Sequence, residues 1–298
     1  MDLGPFIQGV ERLGLNLEGV IVFRHDGENA CHRWIPEAKR NTHSVSKSFI
    51  SIAVGMAIDE GKLKLSDKVY RVLKKEKPPD PLQAKRWDAL CLEHLLTMNM
   101  GHTQLSRPKT VDEALSYELT RDPGSCFFYD NTCTFLASAM LTKVTGLKAR
   151  DYLLDRLFLP LGIKDPQWDE SDDGYSKGAT GLFLTTSEMA LFGRFLLQKG
   201  KWGGSQLVST AWVEKATRTQ VSSRPNRIPD YDLGYGYCFW PCRHGAYRCD
   251  GKDGQFIVVF PALDAVVAIN SSEENQNPIL WAVWDYILPE LEAAFFKN

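Results

Sequence analysis

The 298-residue sequence predicts an α+β fold, an α/β sandwich plus a helical domain. An antiparallel sheet would be built from both termini, flanked by helices, with a mostly helical domain inserted between its halves. Three observations lead there. Strand-like segments joined by tight turns occupy residues 19–35 and 234–270. Helical periodicity fills most of the chain between them. A helical stretch lies near each end, so the sheet has partners for its faces. The expected division is 1–50 plus 215–298 for the sheet domain and 51–214 for the inserted one.

In chain order, residues 6–17 read as a short helix. Gly19 to Arg24 reads as a strand, His25 to Glu28 as its turn and Asn29 to Ile35 as the return strand. The run from Val45 to Ile58 is apolar nearly all round a 3.6-residue period. It predicts a helix buried on most sides, ending near Glu60-Gly61. A helical piece over Leu63 to Leu73 follows, with Ser66 placed like an N-cap. A polar loop, Lys74 to Lys85, contains Pro78, Pro79 and Pro81. Leu90 to Met98 is helical in pattern, and 99–128 is irregular with a helical piece near 111–120. Asn131 to Val144 should stop at Gly146, and Ala149 to Phe158 at Pro160. Thr186 to Lys199 and Ser209 to Thr217 read as helices, and Val221 to Asp232 as loop. Four strands are expected at Gly234 to Trp240, Ala246 to Asp250, Gln255 to Phe260 and Ala265 to Asn270. A helix from Trp281 to Phe296 would close the chain.

Composition narrows the function. With 44% hydrophobic and 24% charged residues the chain is an ordinary globular sequence. A net charge of −2 gives no electrostatic case for nucleic acid or an anionic membrane. No apolar run reaches the ~18–20 residues that span a bilayer. Met1 to Phe6 has neither the basic start nor the apolar core of a secretory signal, so the expected location is cytoplasmic. Seven cysteines without framework spacing suit reduced thiols. Cys238, Cys242, His244 and Cys249 cluster in sequence, but their spacing fits no common zinc pattern and no metal is expected.

The chemistry centres on Ser44 and Lys47. Three apart on a helix, they share a face and can meet. A serine hydroxyl needs a neighbouring base, and a helix N-terminus favours a developing oxyanion. A second S-x-x-K, Ser106-Arg107-Pro108-Lys109, lies in polar, proline-containing sequence that reads as loop. Tyr129-Asp130-Asn131 precedes a helix and is the chain's one Y-x-N. A late turn between strands, Cys249-Asp250-Gly251-Lys252-Asp253-Gly254-Gln255, supplies glycines. His43 adjoins Ser44 but is expected to point elsewhere. There is no G-x-S-x-G, H-E-x-x-H, G-x-x-x-x-G-K-[ST] or G-x-G-x-x-G.

Ser-x-x-Lys, then Y-x-N, then a glycine motif on a late strand resembles the serine β-lactamase and penicillin-binding-protein superfamily. More narrowly it resembles the class C β-lactamase-like esterases, D-aminopeptidases and 6-aminohexanoate-dimer hydrolases. Leu95-Leu96-Thr97-Met98, Gly181 to Thr186, Gly200-Lys201-Trp202 and Tyr235-Gly236-Tyr237 add to the likeness, which covers roughly 18–290. The resemblance implies a β-lactamase/transpeptidase-like fold. It implies Ser44 as acyl-accepting nucleophile, Lys47 and Tyr129 as proton carriers and Asn131 as orienting Lys47 or a substrate amide. Burial beside cations would lower the Lys47 pKa, and Lys47 would lower that of Tyr129, so either could be the base. No glutamate stands at a recognisable class A deacylation position, which leaves Tyr129 as the better base for the water step.

The third motif departs from the family's K-T-G or H-T-G. Lys252-Asp253-Gly254 could hold its place, with Gln255 giving the second oxyanion N–H. The preferred alternative is Cys249-Asp250-Gly251, with the Lys252 N–H in that role. Asp250 would then repel a substrate carboxylate unless Arg248 or Lys252 neutralised it. The resulting expectation is a cofactor-free serine hydrolase forming an acyl-enzyme on a small ester or amide. The rivals are a β-lactamase or D-Ala-D-Ala carboxypeptidase, and a ligand sensor that is acylated without turnover.

Overall fold

The computed structural model describes residues 1–24, 29–74, 80–225 and 228–295. A six-stranded antiparallel sheet organises it. In spatial order the strands are Ala30–Arg33, Leu17–Arg24, Ala265–Ser271, Gln255–Phe260, Tyr247–Gly251 and Trp240–Pro241. Both ends of the chain thus meet in one sheet, where Val20 faces Ile269 and Val258 faces Val267 across the ladders. One face carries Val20, Val22, Phe256, Val258, Val267 and Ile269. It packs on the terminal helices through Phe6, Val10, Ile279 and Val283. The other face, with Ile257, Val259, Val266 and Ala268, joins the larger helical core. Burial on both faces explains why these strands read as continuous apolar runs rather than alternating ones.

The helix Ser46–Asp59 lies at the centre of that larger core, buried from Ser46 through Ala57. Phe49 stacks on Phe158 and Phe192. Ser48 donates to the Cys238 carbonyl at 2.8 Å, and Trp212 Nε1 donates to Ser51 O at 3.1 Å. The helix closes at Glu60, followed by Gly61 in the left-handed region. Thr186–Leu197, which sequence assigns to the inserted part, packs on the sheet itself: a Cβ on Gly193 would lie 2.4 Å from Val266 Cγ1.

Several expectations need correcting. Pro81–Ala89 is a helix, not loop, because Asp80 caps it by accepting from Gln83 N at 2.7 Å and Pro81 suits the first helical position. Residues 63–68 are not helical; only Val69–Leu73 is, and Ser66 caps nothing. Pro160 does not end its helix. A wide turn, Leu154–Phe158, precedes a last α segment, Leu159–Leu161, and Gly162 in the left-handed region ends it. Residues 234–239 are not a strand, because Gly234 and Cys238 take φ of 99° and 62° and break the ladder. The closing helix begins earlier, at Asn277, and runs to Phe295 through a wide turn at Val283–Ile287. Its predicted end at Phe296 lies outside the described residues, as do the turn His25 to Glu28 and Pro78-Pro79. Two small sheets went unpredicted. One pairs Arg40–Asn41, Leu182–Leu184 and Gln167–Trp168; the other pairs Lys201–Trp202 with Ser205–Gln206. Their strands are too short for a period to show.

Candidate active site

Ser44 sits in a single 3₁₀ turn, His43–Val45, that runs straight into the buried helix. Asn41 fixes that turn: its Oδ1 accepts from His43 N at 2.9 Å and from Gly181 N at 3.1 Å. One turn on, Lys47 is 1% exposed. Its Nζ donates to Ser44 Oγ at 2.9 Å, Asn131 Oδ1 at 2.7 Å and Ala179 O at 2.9 Å. An ammonium has three protons, and here each has an acceptor. Burial is the first cause of its shifted pKa, which falls from 10.5 to about 8 despite nearby acidic groups that pull it up. No neighbouring cation is needed, contrary to expectation.

Asn131 is free to face Lys47 because Asp130 takes the capping role. Asp130 accepts from Thr132 N at 3.1 Å and also holds Ser106, through N at 2.9 Å and Oγ at 2.8 Å. Ser106, of the second S-x-x-K, is thereby a structural hydroxyl. Tyr129 lies across from Ser44, with Lys47 Nζ 5.0 Å above its ring. Trp240 and Tyr235 pack on that ring at 5.5 and 5.9 Å. Burial raises the Tyr129 pKa well above its ordinary value, and a hydrogen bond with Ser44 opposes this only in part. This corrects the expectation of a lowered phenol. Cys249 is wholly buried, its thiol pushed up to about 12 by burial.

The turn after the strand Tyr247–Gly251 separates the two registers of the third motif. Asp250 and Lys252 line a cavity of about 470 Å³ together with Ser44 and Tyr129. Gly251 lies so close to the Ser44 loop that a Cβ there would fall 2.3 Å from Thr42 O. Gly254 and Gln255 are elsewhere. A Cβ on Gly254 would meet Ile279 at 2.5 Å, and Gln255 is buried, donating to Ser271 O and accepting from Asn270 Nδ2 at 2.7 Å. Gln255 pairs with Gly251 across the hairpin, which turns it off the cleft. The places predicted for Gly254 and Gln255 are therefore corrected, and Cys249-Asp250-Gly251 faces Ser44. The Lys252 side chain stays 71% exposed at the rim, its Nζ 3.3 Å from Asp253 Oδ1.

A second cavity, about 1090 Å³, opens on the other side of Ser44, between His43, Arg107, Asn131, Lys177 and Thr180. His43 does face the site. Its φ of 48° swings the side chain into this cavity, with Nε2 3.4 Å from Asp253 Oδ2. The sequence reading also missed Asn41 and Ala179. Asn41 carried a weak signal, an amide two residues before a tight turn. Ala179 acts through its carbonyl, and only the flanking Gly178 and Gly181 hinted at close backbone approach. Among the described residues no three His, Cys, Asp or Glu side chains gather as a metal would need. Cys242 Sγ instead accepts from Arg248 Nη1 at 3.2 Å. Among the same residues no helix is long and apolar enough to cross a membrane.

Known proteins resemble this chain in sequence and in fold. Residues 17–288 match the Beta-lactamase family. A beta-lactamase of Escherichia coli K12 is 31% identical over 127 residues, 40% of this chain and about a third (32%) of that protein's length. The 6-aminohexanoate-dimer hydrolase of Paenarthrobacter ureafaciens is 23% identical over 282 residues, covering 83% of this chain and 69% of that one. The octameric penicillin-binding protein homologue from Pyrococcus abyssi superposes with a TM-score of 0.76 at 18% identity. That match covers 97% of this chain and 78% of the homologue, and it shows a shared fold.

Proposed function

The chain belongs to the Beta-lactamase family, and from that premise we propose a serine hydrolase that forms an acyl-enzyme on a small uncharged ester or amide. The observation that carries this reading is the Lys47 site. Three acceptors surround an ammonium whose pKa burial brings to about 8, so the neutral amine is accessible near physiological pH. When Lys47 is neutral, its two protons stay on Asn131 Oδ1 and Ala179 O. The lone pair then points along the third direction, at Ser44 Oγ.

In the proposed reaction Lys47 takes the Ser44 proton as Oγ attacks the carbonyl carbon. The oxyanion is held by the Ser44 and Lys252 backbone N–H groups, at the start of the buried helix. Tyr129, kept protonated by burial, donates its proton to the leaving group, and Lys47 returns a proton to Tyr129. Both residues are then reset for water. Lys47 takes a water proton as the hydroxide attacks, and passes it to Ser44 Oγ as the acyl group leaves. Lys47, rather than Tyr129, is the base in both half-reactions.

The test is labelling with a fluorophosphonate followed by peptide mass mapping, beside turnover of p-nitrophenyl esters, amino-acid anilides and a chromogenic cephalosporin. An adduct on Ser44 with steady ester turnover, both lost in Ser44→Ala, is the expected result. An adduct on Ser106, or turnover that survives Ser44→Ala, would overturn the reading. A burst without turnover would make the protein an acylatable sensor.

A further inference from the structure

The smaller cavity has a wall whose charges are already spent. Asp250 Oδ2 accepts from Arg248 Nε at 2.8 Å and from Tyr231 OH at 2.8 Å. Its Oδ1 accepts from Gln276 Nε2 at 3.1 Å, and the same Gln276 nitrogen reaches Tyr231 OH at 2.6 Å. Arg248 is fully buried behind this wall, held also by Asp230 O at 3.0 Å, while Asp250 is 8% exposed. Its guanidinium lies 4.5 Å from the Tyr231 ring centre and 5.7 Å from that of Trp240. Glu274 and Lys252, both exposed, stand at the rim with opposite signs.

We infer that this cavity is a subsite for an uncharged arm of the substrate, aryl or short alkyl with one hydrogen-bond donor, and that it rejects both carboxylate and ammonium arms. The inference rests on the proposed role of Ser44 and names the substrate class of that site. A carboxylate would meet the Asp250 oxygens and could not reach Arg248, which has no exposed surface. An ammonium would find the Asp250 charge already compensated and the rings of Tyr129, Tyr231 and Trp240 already facing a cation. Against this wall a desolvated ion of either sign meets no uncompensated opposite charge, and Lys252 and Glu274 stand at the solvent-exposed rim, where an ion pair is worth little. An uncharged ring loses nothing. It can lie against Tyr129, Trp240 and Ile228, with Gln276 Oε1 left as acceptor for an N–H or O–H.

The experiment compares three 4-nitrophenyl esters at pH 8 whose acyl groups are phenylacetyl, 4-carboxyphenylacetyl and 4-(aminomethyl)phenylacetyl. A second series places the same three arms on the alcohol side of a common acyl group, since either half of the substrate could occupy the cavity. In one of the two series the neutral arm should exceed both charged arms at least tenfold in kcat/KM. Asp250→Asn keeps the shape of the wall but leaves the Arg248 charge uncompensated, so the carboxylate arm should gain at least tenfold relative to the neutral one. Should that variant fail to fold, the wild-type series decides alone. Charge-indifferent rates in both series, or a charged arm that wins, overturn the inference while Ser44-dependent turnover leaves the hydrolase reading standing. If Ser44→Ala hydrolyses the neutral ester as fast as wild type, the premise fails and the inference with it.

Discussion

Replacing Asn131 with Asp tests the proposed base with almost no change in shape. The amide oxygen lies 2.7 Å from Lys47 Nζ, so the substitution puts a carboxylate against the ammonium in a buried site. An opposite charge at such range raises a lysine pKa by about 1–3 units. The wild-type value is about 8. At pH 7 about a tenth of the wild-type enzyme therefore holds neutral Lys47, and kcat/KM should climb about tenfold by pH 9 before levelling. In the variant the midpoint should move to about 9–11. Activity at pH 7 should fall about 10- to 1000-fold and recover as pH rises. The sign is fixed: only the deprotonated amine can accept the Ser44 proton, so whatever stabilises the ammonium moves the rise to higher pH.

The assay is kcat/KM for a neutral p-nitrophenyl ester between pH 6 and 10.5, corrected for spontaneous hydrolysis. This parameter reports the free enzyme, where the contact was seen. Asn131→Leu supplies the opposite sign. It removes an acceptor that holds the protonated form, and its midpoint should drop below the wild-type one. A variant profile that kept the wild-type midpoint, or moved to lower pH in Asn131→Asp, would refute the role of Lys47. A wild-type midpoint below the ordinary imidazole range would instead point to His43, whose pKa is lowered by burial, opposed by Asp253 and lowered further by Lys252 and Lys47.

Two further substitutions probe the neighbouring parts. Tyr129→Phe should lower kcat about 10²- to 10⁴-fold with little change in substrate binding, the usual contribution of a positioned acid; a variant keeping a third of wild-type turnover would remove Tyr129 from the proton path. Gly251→Ala should slow Ser44 phosphonylation at least about tenfold and lower stability by about 1–3 kcal/mol, because its Cβ would lie 2.3 Å from the Thr42 carbonyl, a backbone atom that can yield only by moving the Ser44 loop. Unchanged labelling with an unchanged denaturation midpoint would show that the close approach does not matter.

What sequence could reveal about this site depended on whether a residue acts through its side chain and at a fixed local spacing. Ser44 and Lys47 met as their spacing required, although a 3₁₀ turn rather than the α-helix itself holds Ser44. Asn131 was expected to orient Lys47 or a substrate amide, and the structure shows what leaves it free to do so: its neighbour Asp130 caps the helix. Ala179 was illegible, since a carbonyl belongs to every residue. The fold was legible where apolar periods were long, as in Val45 to Ile58 and Ala265 to Asn270. It was not legible where one backbone angle overrides β-propensity, as at Cys238, or where Asp80-Pro81 starts a helix inside a proline-rich segment.

The departure at the third motif ties these features together. With a buried thiol at Cys249, the buried cation in contact with Ser44 is Lys47, and at a pKa of about 8 about a tenth of it is neutral at pH 7. Burial raises the Tyr129 pKa, the hydrogen bond with Ser44 opposes it and the Asp250 charge adds to it. The base role therefore shifts toward the amine. The next residue completes the change. Asp250 could not stand in a closed cleft as a bare carboxylate, and the buried guanidinium two residues earlier on the same strand compensates it at 2.8 Å. Arg248 is then committed to the wall and cannot serve as a substrate anchor. A buried thiol at Cys249 and an internal ion pair at Asp250 leave these two adjacent positions with no free cation to grip a substrate carboxylate. We propose that a site built in this way favours esters and amides whose arms carry no charge.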